Sequence, residues 1–437
     1  MRRRLLACAA GTLAALVVLA PGASAQEEPD EGDEGPGQSI RGTLTFDDES
    51  GEAVPVEGAS ISVAVEGGDE VGTAETDDEG AWEVEVPEPG RYSATIDADS
   101  LPEDVSLRDE DRATLTFGVA PGQSRPVQFQ VVSGEGGDRG GSSFADRVAR
   151  LSVDGIKFGL IIAISAIGLS LIYGTIGLVN FAHGEMVTFG ALIAFLFNVT
   201  WGMHLLIATP LAVVVGVLAG FGIDRGFWRP LNRRGTGLVA LLVITIGIGL
   251  LVRYLFLYQF GGFTRTYAQY TLQREGLDIG PVTIVPRDLT ILVVSIIVLI
   301  GVALFLETTK MGKAMRAVAD DSDLAESTGI DVERVVGLIW ASGAGLAALG
   351  GVFLGLSEQV DWLMGFRLLL LMFAGVILGG IGTAYGALVG SLVVGMVVQL
   401  STLWVAPELK NVVALLILII ILVIRPQGIL GQAERVG

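Results

Sequence analysis

The chain has 437 residues, 51% of them apolar and only 17% charged, with a mean hydropathy of +0.60. An ordinary soluble domain carries about 25% charged residues, so this composition excludes a disordered chain, a coiled coil and a conventional cytosolic enzyme. The 60 glycines follow no Gly-X-Y period, which excludes collagen and suits membrane helices. The net charge of −20 is unevenly spread: residues 26–140 hold 30 acidic and 6 basic side chains, whereas residues 141–437 hold 18 and 19. Such an acidic segment repels phosphates, so no nucleic-acid partner is expected.

Residues 1–25 read as a secretory signal; the alternative, an uncleaved first membrane helix, has an apolar stretch short for a span. Arg2, Arg3 and Arg4 form a basic start, Leu5 to Ala20 an apolar stretch, and Ala23-Ser24-Ala25 a small-residue cleavage site. The only cysteine, Cys8, falls inside this signal, so a disulfide framework or a catalytic thiol is not expected. With His183 and His204 the only histidines, no multi-histidine metal site is expected either.

An acidic leader, residues 26–37, precedes a region, 38–132, of short alternating segments such as Ser60–Val65, Trp82–Val86 and Tyr92–Ile96. Turn clusters, Asp77-Asp78-Glu79-Gly80 among them, separate these segments. Polar–apolar alternation with a turn every ten or so residues predicts an exported antiparallel β-sandwich with one face in water. The acids of the turn at 77–79 offer the oxygen ligands that calcium takes; an Asp-rich turn that bonds its own backbone is the simpler reading. Gly42-Thr43-Leu44, Val56 to Ile61, Thr76 to Trp82 and Pro89 to Tyr92 resemble the carboxypeptidase-regulatory-like, transthyretin-like domains.

A Gly/Ser tether, 133–147, leads into residues 148–437. Here apolar runs recur near 156–179, 186–201, 205–223, 238–260, 289–306, 335–356, 368–381, 387–403 and 412–424. A span needs about 20 residues, so the pattern predicts a multi-pass α-helical membrane protein of eight or nine spans, some of them broken. Export of the N-terminus makes the first span run inward. The third then delivers Arg225, Arg229, Arg233 and Arg234 inside, the fifth Lys310, Lys313 and Arg316, and the last Arg425, as the positive-inside rule requires. The β domain is thus expected outside and the C-terminus in the cytoplasm.

No phosphate-binding G-x-x-x-x-G-K-[ST], G-x-S-x-G or H-E-x-x-H motif occurs, so the chain is expected to carry no catalytic residues. Gly343, Ala347, Gly351 and Gly355 recur every four residues, a ridge that lets helices approach closely. Asn180, His183 and Glu185 interrupt an apolar tract between the first two spans. Polar groups at membrane depth line a cavity or pair with one another, and the alternative is a turn in which Asn180 and Glu185 cap helix ends. The stretch Met311 to Asp331 is Ala-rich and charged, with Gly312 and Gly329 at the ends of one expected helix. It reads as a surface helix suited to a docking partner, or as a solvated connector.

Five ordered segments resemble the branched-chain amino acid ABC importer permeases. They are Gly168 to Gly174 running on to Asn180 to Glu185, then Gly312-Lys313-Ala314 with Arg316-Ala317, and Ala325 with Gly329-Ile330. Leu378 to Gly382 with Gly386-Ala387, and Arg425 to Gly431, complete the series. The resemblance implies a permease subunit, not an enzyme, that works with a second permease, cytosolic ATPase subunits and an extracytoplasmic solute-binding protein. ATP and magnesium would be held by the partners, with no cofactor in this chain. Asn180, His183 and Glu185 then become candidates for the translocation path. Gly312, Arg316, Ala317, Asp320, Asp321, Ala325 and Gly329 become the ATPase-coupling loop, with Ala317 and Ala325 packed against the ATPase. Residues 367–376 are richer in leucine than such permeases usually are. Leucine, isoleucine and valine are the leading substrates. The alternatives are urea or short amides, an ion-coupled secondary transporter, and a receptor that anchors the β domain.

Overall fold

The computed structural model describes residues 38–47, 53–102, 105–107, 113–119, 124–127, 129, 131–133, 144–270, 276–279, 282–380, 382–406 and 409–424. The signal, the acidic leader, most of the tether and the Arg425 to Gly431 segment lie outside them. The chain divides into two units, residues 24–143 and a helical unit that begins at Phe144.

The first unit is a small β-sandwich. One sheet joins β1 (Gln38–Thr43) to β4 (Ala81–Val86) and β7 (Ser124–Pro126); the other has the order β3 (Glu70–Glu75), β2 (Ser60–Val65), β5 (Gly90–Ile96), β6 (Thr114–Val119). Every pairing in the second sheet is antiparallel, as alternation predicts, but β1 and β7 run parallel. Ile40, Trp82 and Val84 of one sheet meet Ile61, Val63 and Ile96 of the other in a single core. In β4 burial alternates with the side-chain period of a strand, so Trp82, Val84 and Val86 are inside and Glu83 and Glu85 outside. Asp77 spends one carboxylate oxygen on the backbone N–H groups of Glu79, 3.0 Å, and Ala81, 2.7 Å, which closes the turn before β4.

The second unit consists mainly of helices: α1 (Phe144–Ile176), α2 (His183–Phe195), α3 (Leu205–Ile223), α4 (Leu238–Phe260), α5 (Pro286–Thr308), α6 (Lys310–Asp320), α7 (Ser322–Ser327), α8 (Val332–Ser357), α9 (Met364–Gly379), α10 (Ala384–Ser401) and α11 (Lys410–Ile424). Among the described residues, seven helical stretches are long and apolar enough to cross a membrane, and α9 and α11 are shorter apolar helices. A π-turn extends α2 to Thr200, and another carries α3 on to a last helical turn, Arg229–Asn232. Helix α1 begins at Phe144, inside the stretch read from sequence as tether.

Helices α1, α2 and α8 are buried along most of their length, whereas α3, α4 and α5 bury one narrow stripe each. The Gly343 ridge explains the tight centre. A Cβ on Gly343 would come within 3.2 Å of the Gly168 backbone in α1, and one on Gly351 within 2.0 Å of the Val187 carbonyl in α2. In lipid there is no hydrophobic drive between helices, so this close approach and its dispersion contacts hold the bundle.

Candidate functional site

Helix α1 ends at Ile176, and Gly177, at φ +68°, turns the chain back toward the bundle. Asn180 follows, fully buried, and its side-chain oxygen accepts the Ala182 N–H at 3.0 Å. Asn180 thus closes the turn but is not the helix cap that sequence reasoning allowed, since the cap position of the next helix is Ala182, which has no side-chain bond. The broken stretch leads directly into α2, whose first residue is His183. Its Nε2–H donates to the Ser165 carbonyl of α1 at 3.0 Å; a carbonyl only accepts, so the hydrogen sits on Nε2. Glu185 lies two residues on, a rotation of about 200° around the helix, and faces away from His183.

Glu185 does not cap a helix. Its Oε1 accepts from Arg253 of α4 twice, at 3.0 Å from Nε and 2.7 Å from Nη2. Both residues are buried, with 3% of Glu185 and 8% of Arg253 exposed. The guanidinium also lies 3.8 Å from the ring centroid of Phe366 in α9. Thus Glu185, Arg253 and Phe366 form one cluster, while His183 belongs to the α1–α2 packing and Asn180 to the turn. Three buried atoms here have no hydrogen-bond partner: Asn180 Nδ2, His183 Nδ1 and Glu185 Oε2.

Sequence reasoning missed Arg253. The signal was present: it is the only charged residue of α4 and continues the stripe Leu241, Thr245, Gly249, which is buried at every fourth position. A lone arginine inside a span needs a partner, and Glu185 provides it.

The segment Gly312 to Asp331 holds two helices, α6 and α7, rather than the single one expected. Asp321 breaks the run. Its carboxylate accepts the Asp323 and Leu324 N–H groups, at 3.0 and 2.9 Å, and caps α7. Gly312 sits where a Cβ would meet the Phe305 carbonyl at 2.4 Å, so only glycine lets α6 fold back on α5. Gly329, at φ +91°, closes the elbow as expected. Arg316, Asp320, Asp321 and Gly329 are exposed and Ala317 is half-buried. Ala325 corrects the sequence reading: it is 4% exposed and packs with Met315, Val318 and Val335 of this chain, so it is not offered to a partner. Leu324 beside it, 62% exposed, is the apolar side chain on the outer face.

The arginines used for orientation have a structural task as well. Arg229 bonds buried Asp224 at 3.0 Å and the Glu333 carbonyl at 2.7 Å, and Arg233 reaches Glu333 at 2.6 Å. They clamp the C-terminal end of α3 to the start of α8, next to the elbow, and Trp228 stacks on Trp340 just beyond.

A sequence profile described as branched-chain amino acid transport system, permease component, matches residues 152–422. The chain belongs to that permease family. The high-affinity branched-chain amino acid transport system permease protein LivH of Escherichia coli is 32% identical over 298 residues, which cover 64% of this chain and 94% of that relative. BraD of Pseudomonas aeruginosa, of the same description, is 32% identical over 296 residues, with coverage of 64% and 95%. A probable LivH of Methanocaldococcus jannaschii is 29% identical over 293 residues, 63% of this chain and 90% of the relative. The permease profile begins at residue 152, after the β unit.

Proposed function

We propose that this permease is the membrane subunit of an ATP-driven importer of branched-chain amino acids, and performs no chemical catalysis itself. Membership of the permease family over nearly the whole helical unit carries the reading. A second permease, cytosolic ATPase subunits and an extracytoplasmic solute-binding protein complete the complex. ATP and magnesium reside in the ATPases, since the sequence has no phosphate-binding loop of its own. Work must then arrive mechanically. The α6–α7 elbow suits that purpose: Gly312 and Ala325 pin it to the bundle, and the Arg229–Glu333 clamp joins its far end to α3 and α8. The exposed face, with Arg316, Asp320, Asp321, Asp323 and Leu324, is where the ATPase docks. The signal exports the β domain, and the positive-inside count sets the elbow in the cytoplasm.

The test is uptake of radiolabelled leucine, isoleucine and valine by cells whose import depends on this permease. Uptake should collapse when ATP is depleted and survive an ionophore that abolishes ion gradients. Ionophore-sensitive uptake with ATP intact would replace this reading with an ion-coupled carrier, and uptake of urea alone would move the substrate to short amides.

A further inference from the structure

We propose that Glu185 and Arg253 form the subsite that receives the charged groups of a zwitterionic amino acid in transit, with the apolar face of α9 taking its side chain. The inference rests on the permease reading above and goes on to assign the residues that touch the solute. The pair is only half used. Both hydrogen bonds from Arg253 fall on Oε1 of Glu185, which leaves Oε2 buried without a partner, and Nη1 of Arg253 makes no hydrogen bond among the described residues. One unspent acceptor and one unspent donor on a single ion pair complement an α-ammonium and an α-carboxylate carried on one carbon. The guanidinium suits a carboxylate in particular, because its planar fork matches the two oxygens.

The surroundings set the rest of the specificity. Phe366, Leu370 and Phe373 fall at i, i+4 and i+7 on α9, one face of the helix. Phe366 lies against Arg253, and the Phe373 ring packs 5.1 Å from Phe181 at the helix break. Leu370 between them is 38% exposed. A zwitterion can enter by partner exchange: the carboxylate takes over Arg253 while the ammonium takes over Glu185, and no charge is left bare at any stage. A solute with only one charge would strand either Arg253 or Glu185, which is costly away from water. The pair therefore selects for both charged groups at once, and the α9 face for an apolar side chain.

The experiment uses the full chain assembled with its partner subunits, with Cys8→Ser and Leu370→Cys introduced, and follows maleimide labelling of this chain's single thiol, resolved from the partners by electrophoresis. By occupancy, leucine at three times its dissociation constant should slow labelling about fourfold. Isopentylamine and 4-methyl-2-oxopentanoate, which keep one charge each, should not. Glu185→Gln, which retains an oxygen for Arg253, should raise the leucine concentration needed for half-protection about 10- to 100-fold, the loss of one charge-assisted hydrogen bond. Equal protection by the singly charged analogues, or no protection in a complex that transports leucine, overturns the subsite and leaves the permease reading standing. Failure of the wild-type complex to take up any amino acid overturns both. The labelling comparison needs no substitution in the pair itself, so a folding defect in Glu185→Gln does not blunt it.

Discussion

Gly351 of α8 lies directly on Val187 of α2: a Cβ at position 351 would sit 2.0 Å from the Val187 carbonyl oxygen. Real carbon and oxygen atoms do not approach so closely, so the two helices touch only because residue 351 has no side chain. Gly351→Ala should therefore push α8 off α2 and destabilise the helical unit by about 1–3 kcal/mol, the usual cost of overpacking. Thermal melting in detergent reads this directly. Gly301→Ala on α5, where a Cβ meets nothing within 4 Å, is the control and should melt no lower. Equal behaviour of the two variants would show that the ridge is not a packing device.

Arg253→Gln should be far more damaging to stability than Arg253→Gln combined with Glu185→Gln. The single change leaves a buried carboxylate without its cation, which costs about 3–5 kcal/mol, whereas removal of both charges can be nearly neutral. A melting series of the two singles and the double gives the coupling energy. Simple addition of the single effects would mean that the pair is not a coupled unit.

At the elbow, neighbouring residues should fail in different ways. Leu324→Arg changes an exposed side chain, so the permease should reach the membrane in normal amount while solute-stimulated ATP hydrolysis falls steeply. Ala325→Arg forces a charge into the cluster of Met315, Val318 and Val335, so abundance itself should drop. Normal coupling in Leu324→Arg would identify the elbow as a mere connector.

Protease added to intact cells should release an acidic fragment that ends between residues 133 and 143. The basis is the N-terminal signal followed by the Gly/Ser tether. A fragment protected in intact cells and cut only after lysis would reverse the orientation assigned to the whole chain.

Much of the architecture was legible in the sequence because it depends on local pattern. Spans follow from the length of an apolar run, the sandwich strands from alternation, and the elbow's end from the left-handed conformation that Gly329 adopts at φ +91°. The family, too, was legible, since its motifs are short runs of adjacent residues. Only the tertiary structure could join Glu185 to Arg253, 68 positions away, because neither residue's neighbours encode which helix will lie beside it. The same holds for Ala325. An alanine is compatible with a docking face or an interior, and the choice was made by α8 folding over α7, which placed Val335 against it. His183 and Glu185, two residues apart in one motif, were separated by helix geometry alone: a turn of about 200° sends one side chain to α1 and the other to α4.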